Sequence, residues 1–281
     1  MNILSIDLED WFHILDHASI ASPEAWNNFE PRIEANANRL LDILEEKKQK
    51  ATWFCLGWMA RKHPALIKQI AKSQHIACHS DLHELVYTQS PKSFKEDTLR
   101  AKQELENLCG TSVDTYRAPG FSVTPHTPWF FELLLECGFT IDSSVFPARR
   151  SHGGFPGFGS AQPCRVIVNG AVLKEFPMNT RRLLGRDIVF SGGGYFRALP
   201  YSFIRESFNK SEYVMTYFHP RDFDPGQPRI NSLPLKRKFM SYVGLKSSEN
   251  KLRRLLEDYN FVDLPTADNH IDWEQTSIIK V

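Results

Sequence analysis

The chain has 281 residues, 42% of them hydrophobic and 12% aromatic, which is ample for a core and excludes a disordered protein. The formal net charge is +1, so no global field draws in nucleic acid. No window approaches the roughly 18 uninterrupted apolar residues of a membrane span, and the five scattered cysteines (Cys55, Cys78, Cys109, Cys137 and Cys164) contain no C-x-x-C pair that would suggest a zinc knuckle or a disulfide frame.

Residues 3–6, Ile-Leu-Ser-Ile, read as a short buried strand running into three acids, Asp7, Glu9 and Asp10. Carboxylates this close repel. The crowding is tolerated where a cation sits among them, or where one acid serves as a base at a pocket mouth. A solvated acidic turn would give the same pattern. If the chain is the whole gene product, a strand starting at residue 2 leaves no room for a leader, and the protein is expected in the cytoplasm or against the inner membrane surface.

A loop over 16–31 precedes a helix over 31–48, whose apolar residues Ile33, Ala37, Leu40, Leu41 and Leu44 recur at helical spacing. Residues 51–56 read as a buried strand stopped by Gly57, and 59–73 as a helix interrupted at His63-Pro64. A third strand, 75–78, delivers His79-Ser80-Asp81-Leu82-His83. Helix 93–109 ends at Gly110, a good residue for a helix C-terminus. Strand 115–117 leads into Ala118-Pro119-Gly120-Phe121, helix 125–137 follows, and strand 139–141 ends in Asp142.

The regularity breaks over 146–194, a Gly- and Pro-rich stretch read as loops and hairpins inserted over the mouth of the fold. Its triple glycine, Gly192-Gly193-Gly194, lacks the lysine of a P-loop and reads better as a tight turn or close backbone approach. Helix 200–209, strand 213–218 ending in His219, helices 235–244 and 248–259 and a last strand at 261–262 complete the pattern. The basic residues of the last two helices (Lys236, Arg237, Lys238, Lys246, Lys251, Arg253 and Arg254) read as a solvated face rather than a membrane-surface patch.

Strand, loop and helix repeat, with strands too buried to alternate. That argues an α/β fold with a parallel sheet and helices outside it. Asp7, His79, Arg117 and Asp142 each stand at a strand's carboxyl end, the face where chemistry sits in a parallel barrel. One domain is expected over 1–265, with a polar tail over 266–281.

His79 and His83 are spaced i, i+4, so on a helical turn both imidazoles could share a divalent cation. His13 and His17 share that spacing but lie in a loop and read as surface residues. Two histidines plus one carboxylate form a common catalytic metal set.

Five pieces, Ser5-Ile6-Asp7-Leu8-Glu9-Asp10, His79-Ser80-Asp81-Leu82-His83, Tyr116-Arg117-Ala118-Pro119, Asp142-Ser143-Ser144-Val145-Phe146-Pro147 and Phe218-His219-Pro220, occur in the order of the five motifs of polysaccharide deacetylases. The chain resembles that family (NodB-homology, carbohydrate esterase family 4), in the branch found in surface-polysaccharide gene clusters. The resemblance implies a distorted (β/α) barrel of about seven parallel strands that removes acetyl groups from N-acetyl sugars with a metal-activated water. By family position Asp7 would be the base, Glu9, His79 and His83 the metal ligands, and His219 the acid. Arg117 would orient Asp7, Asp142 would hold His219, and a backbone N–H near Gly120 would bind the oxyanion. The metal would be Zn²⁺, with Co²⁺ or Ni²⁺ as alternatives.

The sequence departs from the family pattern at Asp7-Leu8-Glu9-Asp10. Strand alternation points Asp7 and Glu9 the same way, which favours Glu9 as ligand over Asp10, the alternative. Gly120 stands where the family has an aromatic, so Phe121, Phe146, Tyr195 or Phe196 would supply stacking surface, with Arg197 a further candidate for substrate contact. The substrate would be an acetamido-sugar precursor, a lipid-linked oligosaccharide, a nucleotide sugar or a glycosyl intermediate, the first with peripheral membrane contact. A related hydrolase of cyclic ureides and a catalytically dead saccharide-binding protein are the alternatives.

Overall fold

The computed structural model describes residues 1–15, 22–150, 153–183 and 185–281; His17 lies outside them. Twelve strands are described: β1 (Asn2–Ile3), β2 (Ser5–Leu8), β3 (Thr52–Cys55), β4 (His75–Cys78), β5 (Thr115–Tyr116), β6 (Ile141–Asp142), β7 (Cys164–Val168), β8 (Ala171–Glu175), β9 (Arg181–Leu183), β10 (Arg186–Ile188), β11 (Val214–Met215) and β12 (Ser277–Lys280). The main sheet has eight of them in the order β12-β7-β8-β6-β5-β4-β3-β2. Every pairing in it is parallel except β7 with β8.

The fold is thus α/β with a mostly parallel sheet. The first strand divides at Leu4, whose N–H donates to Val262 O while its carbonyl accepts from Thr52. β1 pairs with β11 on one side, and β2 with β3 on the other. Bridges from Ile6 to Phe218 and from Gly192 to Tyr217 carry the sheet past β2. Among the described residues the strands do not close into a ring.

Helices cover the sheet as the apolar spacing requires. Ile33–Glu46 buries Ile33, Ala37, Leu40, Ile43 and Leu44. The expected break at His63-Pro64 separates two helices, Gly57–Lys62 and Pro64–Ala71, with Pro64 in the first turn of the second. Gly57 begins a helix rather than merely stopping a strand. A side chain there would put its Cβ 2.2 Å from Asp81 Oδ1. The long helix Pro91–Cys109 starts with a capping box at Ser90 and ends at Gly110 in the left-handed conformation.

Two expectations change. The 146–194 stretch does not lie wholly over the mouth. β8 continues the sheet beside β6, pairing Ile141 with Lys174 and Asp142 with Glu175, because the free edge of β6 offers backbone partners. Nor is 266–281 a tail. Leu264–His270 is helical, and β12 pairs in parallel with β7, covering an otherwise open edge. Trp273 packs edge-on against Phe176 at 5.4 Å. Part of the basic C-terminal face is also structural: Lys251 Nζ donates to the carbonyls of Phe196, Arg197 and Leu199, and Arg253 pairs with Glu46 and Glu249. No helix among the described residues is long and apolar enough to cross a membrane.

Candidate active site

β2 ends at Leu8, and a tight turn in which Glu9 N donates to Asp7 O bends the chain there. Asp7 and Glu9 both face a cavity of about 740 Å³. Asp10 turns away. Its Oδ1 accepts from Trp11 N at 2.7 Å, and its Oδ2 accepts from Arg32 N and Ile33 N at 2.8 and 3.1 Å. Asp10 therefore caps the helix at Ile33 and is not placed beside His79 and His83.

His79 leaves the end of β4. Its Nδ1 lies 2.7 Å from Arg117 O, and its Nε2 lies 3.1 Å from Glu9 Oε1. His83 Nε2 lies 2.9 Å from the same oxygen. The i, i+4 spacing does not ride on a helical turn as expected. Ser80 and His83 have positive φ of 68° and 57°, and the loop is held from outside. Ser80 Oγ accepts from His83 N, while the Asp97 carboxylate, on the long helix, accepts from Asp81 N and Leu82 N. Burial, with Asp81 beside it, pushes Asp97 up to about 6 against those two donors.

Arg117 is fully buried at the end of β5. Its Nη1 donates to Asp7 Oδ1 and to Ser5 Oγ, both at 2.7 Å, and its Nε and Nη2 donate to Ser143. The guanidinium stacks on Phe54 at 4.0 Å. Asp7 is thereby fixed from behind.

His219 faces Asp7 and Glu9 from the chain beyond β11. Its Nε2 is 3.8 Å from Asp7 Oδ2 and 3.9 Å from Glu9 Oε1. Its Nδ1 lies 3.0 Å from Asp222 Oδ2, and Asp222 Oδ1 is paired with Arg197 Nε, also at 3.0 Å. Burial would pull the His219 imidazole down, but Glu9, Asp222 and Asp7 outweigh it and push it up to about 9. Burial raises Asp222, yet Arg197 and His219 hold it at about 2. Glu9 is likewise raised by burial but held well below the usual carboxylate range by His83, His219 and His79.

Asp142 does not hold His219. Its Oδ1 accepts from Ser144 Oγ at 2.5 Å, and its β-sheet partner is Glu175, fully buried beside it. Burial pushes Asp142 up to about 6 and Glu175 well above its ordinary value, with the neighbouring carboxyl adding to Glu175's rise. Two acids packed together in the interior share protons rather than orient an imidazole.

Gly120, Phe121, Phe146 and Tyr195 line the cavity. Phe196 does not: it is fully buried, with its ring 4.9 Å from that of Phe218. Arg197 lines the wall, but its Nη1 and Nη2 donate to the carbonyls of Met240, Ser241 and Val243, so it braces Asp222 rather than reaching outward. The triple glycine is a close approach. A Cβ on Gly192 would sit 2.0 Å from Tyr217 O.

The donor set fits a divalent cation. With His79 Nδ1–H donated to the Arg117 carbonyl, Nε2 presents a lone pair to a carboxylate oxygen 3.1 Å away. Two acceptors in the interior need a proton or a cation between them. Glu9, His79 and His83 offer ligand atoms within 4.8 Å of one another, and Asp7, Glu9 and His219 form an overlapping group.

Residues 22–140 match the family model described as polysaccharide deacetylase. The chain carries a polysaccharide deacetylase domain. Residues 143–268 match a second model, described as a domain of unknown function. The deacetylase match contains His79, His83 and Arg117. His219 and Asp222 fall in the second, and Asp7 and Glu9 precede both.

The peptidoglycan-N-acetylglucosamine deacetylase of Bacillus cereus is 30% identical over 83 residues, 29% of this chain and 38% of that protein. Bacillus subtilis YheN is 26% identical over 146 residues, 50% of this chain and 52% of that protein. The chain thus spans about half or less of the curated relatives it matches. A Mycobacterium smegmatis crystal structure, described like YheN as a "putative polysaccharide deacetylase", superposes with a TM-score of 0.68 over the whole of this chain and 92% of that one, at 20% identity.

Sequence reasoning missed two parts of this candidate site. Asp222 stands three residues after His219 across a proline, a capping spacing legible in His219-Pro220-Arg221-Asp222. His13, by sequence a surface residue, is buried against Trp26 and Trp58 at 4.4 and 5.3 Å and lines the cavity. Its Nδ1 accepts from Asp10 N, and its buried Nε2 has no partner among the described residues. Nothing in its local sequence marks that burial, since both tryptophans come from elsewhere in the chain.

Proposed function

We propose that the protein hydrolyses the acetamide C–N bond of an N-acetyl sugar, with a divalent cation held by Glu9, His79 and His83. The observation that carries this reading is the convergence of His79 Nε2 and His83 Nε2 on one Glu9 oxygen, 3.9 Å from His219 Nε2. Such an ion, zinc first among the candidates, would supply a Lewis acid that polarises the acetamide carbonyl and acidifies water.

Asp7 takes the proton from the attacking water through Oδ2, while Arg117 donates to Oδ1 and fixes the carboxylate in place. Attack places negative charge on the former carbonyl oxygen, for which the Gly120 backbone N–H is the candidate donor. His219, held protonated near neutral pH by its carboxylate neighbours, gives its Nε2 proton to the departing amine. The C–N bond breaks as acetate and the amino sugar form, and Asp222 receives the Nδ1 side throughout. The two tests are acetate release from a panel of acetamido sugars with Zn²⁺, Co²⁺ or Ni²⁺ added, and its loss in Asp7→Asn and His219→Ala. Full activity in Asp7→Asn would remove the base. Ammonia or ring opening without acetate would point to the cyclic-amide chemistry.

A further inference from the structure

Arg150 stands in the cavity wall, its guanidinium carbon 4.6 Å from the Phe146 ring centre and 5.1 Å from that of Phe121. The Phe121 ring also carries Arg117, at 5.4 Å, so Arg150 and the arginine that fixes Asp7 share one aromatic ring. Among the described residues, buried Arg150 Nη1 has no hydrogen-bond partner. Among the described residues, the titratable groups that act on this side chain are the phenols of Tyr217 and Tyr195, not carboxylates.

A guanidinium keeps its charge and five donors in a rigid fork. Stacking on two rings offsets only part of the loss of hydration. Three other cations of the wall are engaged: Arg197 by carbonyls and Asp222, Arg221 by Gln227, and Arg237 by Leu15 O. The acids are engaged too, Asp7 by Arg117 and Glu9 by two imidazoles. Arg150 is joined on the wall by exposed Arg149 and Lys236, with Asp187 as the opposing charge. Among the described residues of the wall, three available cations against one available acid, with one cation stacked and short of partners, describe a place for an anion.

We infer that the cavity holds an anionic subsite centred on Arg150, so that the substrate is an acetamido sugar carrying a carboxylate or phosphate close to the acetyl group that is removed. This rests on the deacetylase reading for the word acetamido, and on Arg150 for the charge.

Calorimetric binding to the full chain tests it with three probes: N-acetylglucosamine 1-phosphate, an N-acetylhexosamine–hexuronate disaccharide, and neutral chitobiose. One anionic probe is expected to bind at least about tenfold more tightly than chitobiose, the worth of one charge-assisted hydrogen bond. Which one does so names the source of the charge. Arg150→Gln is expected to erase that preference while chitobiose binding stays put, and Arg150→Lys to restore part of it. Thermal unfolding of each variant confirms that the wall is intact. Equal binding of all three probes, or a preference that survives in a folded Arg150→Gln, overturns the inference. Anion binding without acetate release from any probe would sink the deacetylase reading and leave the subsite standing. Acetate release with equal KM for charged and neutral sugars would do the reverse.

Discussion

His219 and Asp222 are joined twice: the Asp222 Oδ2 oxygen accepts the His219 backbone N–H at 2.9 Å and lies 3.0 Å from Nδ1 of the same residue. One carboxylate oxygen therefore fixes both the position and the tautomer of the imidazole. With Nδ1–H committed to Asp222, Nε2 is the nitrogen that exchanges a proton with the cavity.

Asp222→Asn is expected to lower acetate release by about 10²–10⁴, the range for loss of a well-placed proton donor. It also moves the pH profile. A general acid works while protonated, so activity falls as pH rises through its pKa. Asp222 is one of the groups that raise His219, so without it the basic limb shifts to lower pH. Asp142→Asn, which makes no contact with His219, leaves that limb in place. A profile unchanged in Asp222→Asn contradicts the assignment.

Asp10→Ala separates capping from metal binding. Three backbone N–H groups lose their acceptor, at a cost of about 1–2 kcal/mol in urea unfolding. Bound Zn²⁺ per chain is expected to stay the same. A fall in metal content with unchanged stability would return Asp10 to the ligand set.

The Asp142–Glu175 pair sets a pH dependence of stability. Both carboxyls have folded-state pKa values above their ordinary ones, Asp142 at about 6. The folded state thus holds more protons, and stability is full below the unfolded pKa of about 4 and declines as pH rises through about 6. Glu175→Gln removes one acid and relieves the other. Its Tm is expected to fall less than that of wild type between pH 4 and 7. Parallel Tm curves for the two proteins would contradict the pair.

Gly192→Ala drives a methyl group to within 2.0 Å of Tyr217 O, a backbone atom that cannot rotate away. Destabilisation of about 1–3 kcal/mol is expected, as for overpacked cores. An unfolding midpoint equal to that of wild type would show that the bridge between Gly192 and Tyr217 yields freely.

The ends of β2 and β4 were legible because buried parallel strands present their carboxyl ends on one face, which puts Asp7, Glu9, His79 and His83 together. Roles within the site came from motif resemblance, not from spacing. What could not be read depends on partners far away in sequence. Asp10 caps a helix 23 residues on, His13 is buried by Trp26 and Trp58, and β12 exists because β7 has an open edge. Asp142 and Asp222 are both acids near the site, and only packing distinguishes the one paired with Glu175 from the one paired with His219. Phe196 follows Tyr195 by one residue, yet the short helix Gly193–Ala198 turns it into the core.

Titration of the metal-free protein with Zn²⁺ by calorimetry, for wild type, Glu9→Gln and His83→Ala, tests the central claim that these side chains hold a divalent ion. One tight site per chain is expected in wild type, with at least a tenfold loss of affinity, on the order of 1.4 kcal/mol, in each variant. Titration curves for Glu9→Gln and His83→Ala that superpose on wild type would contradict the account.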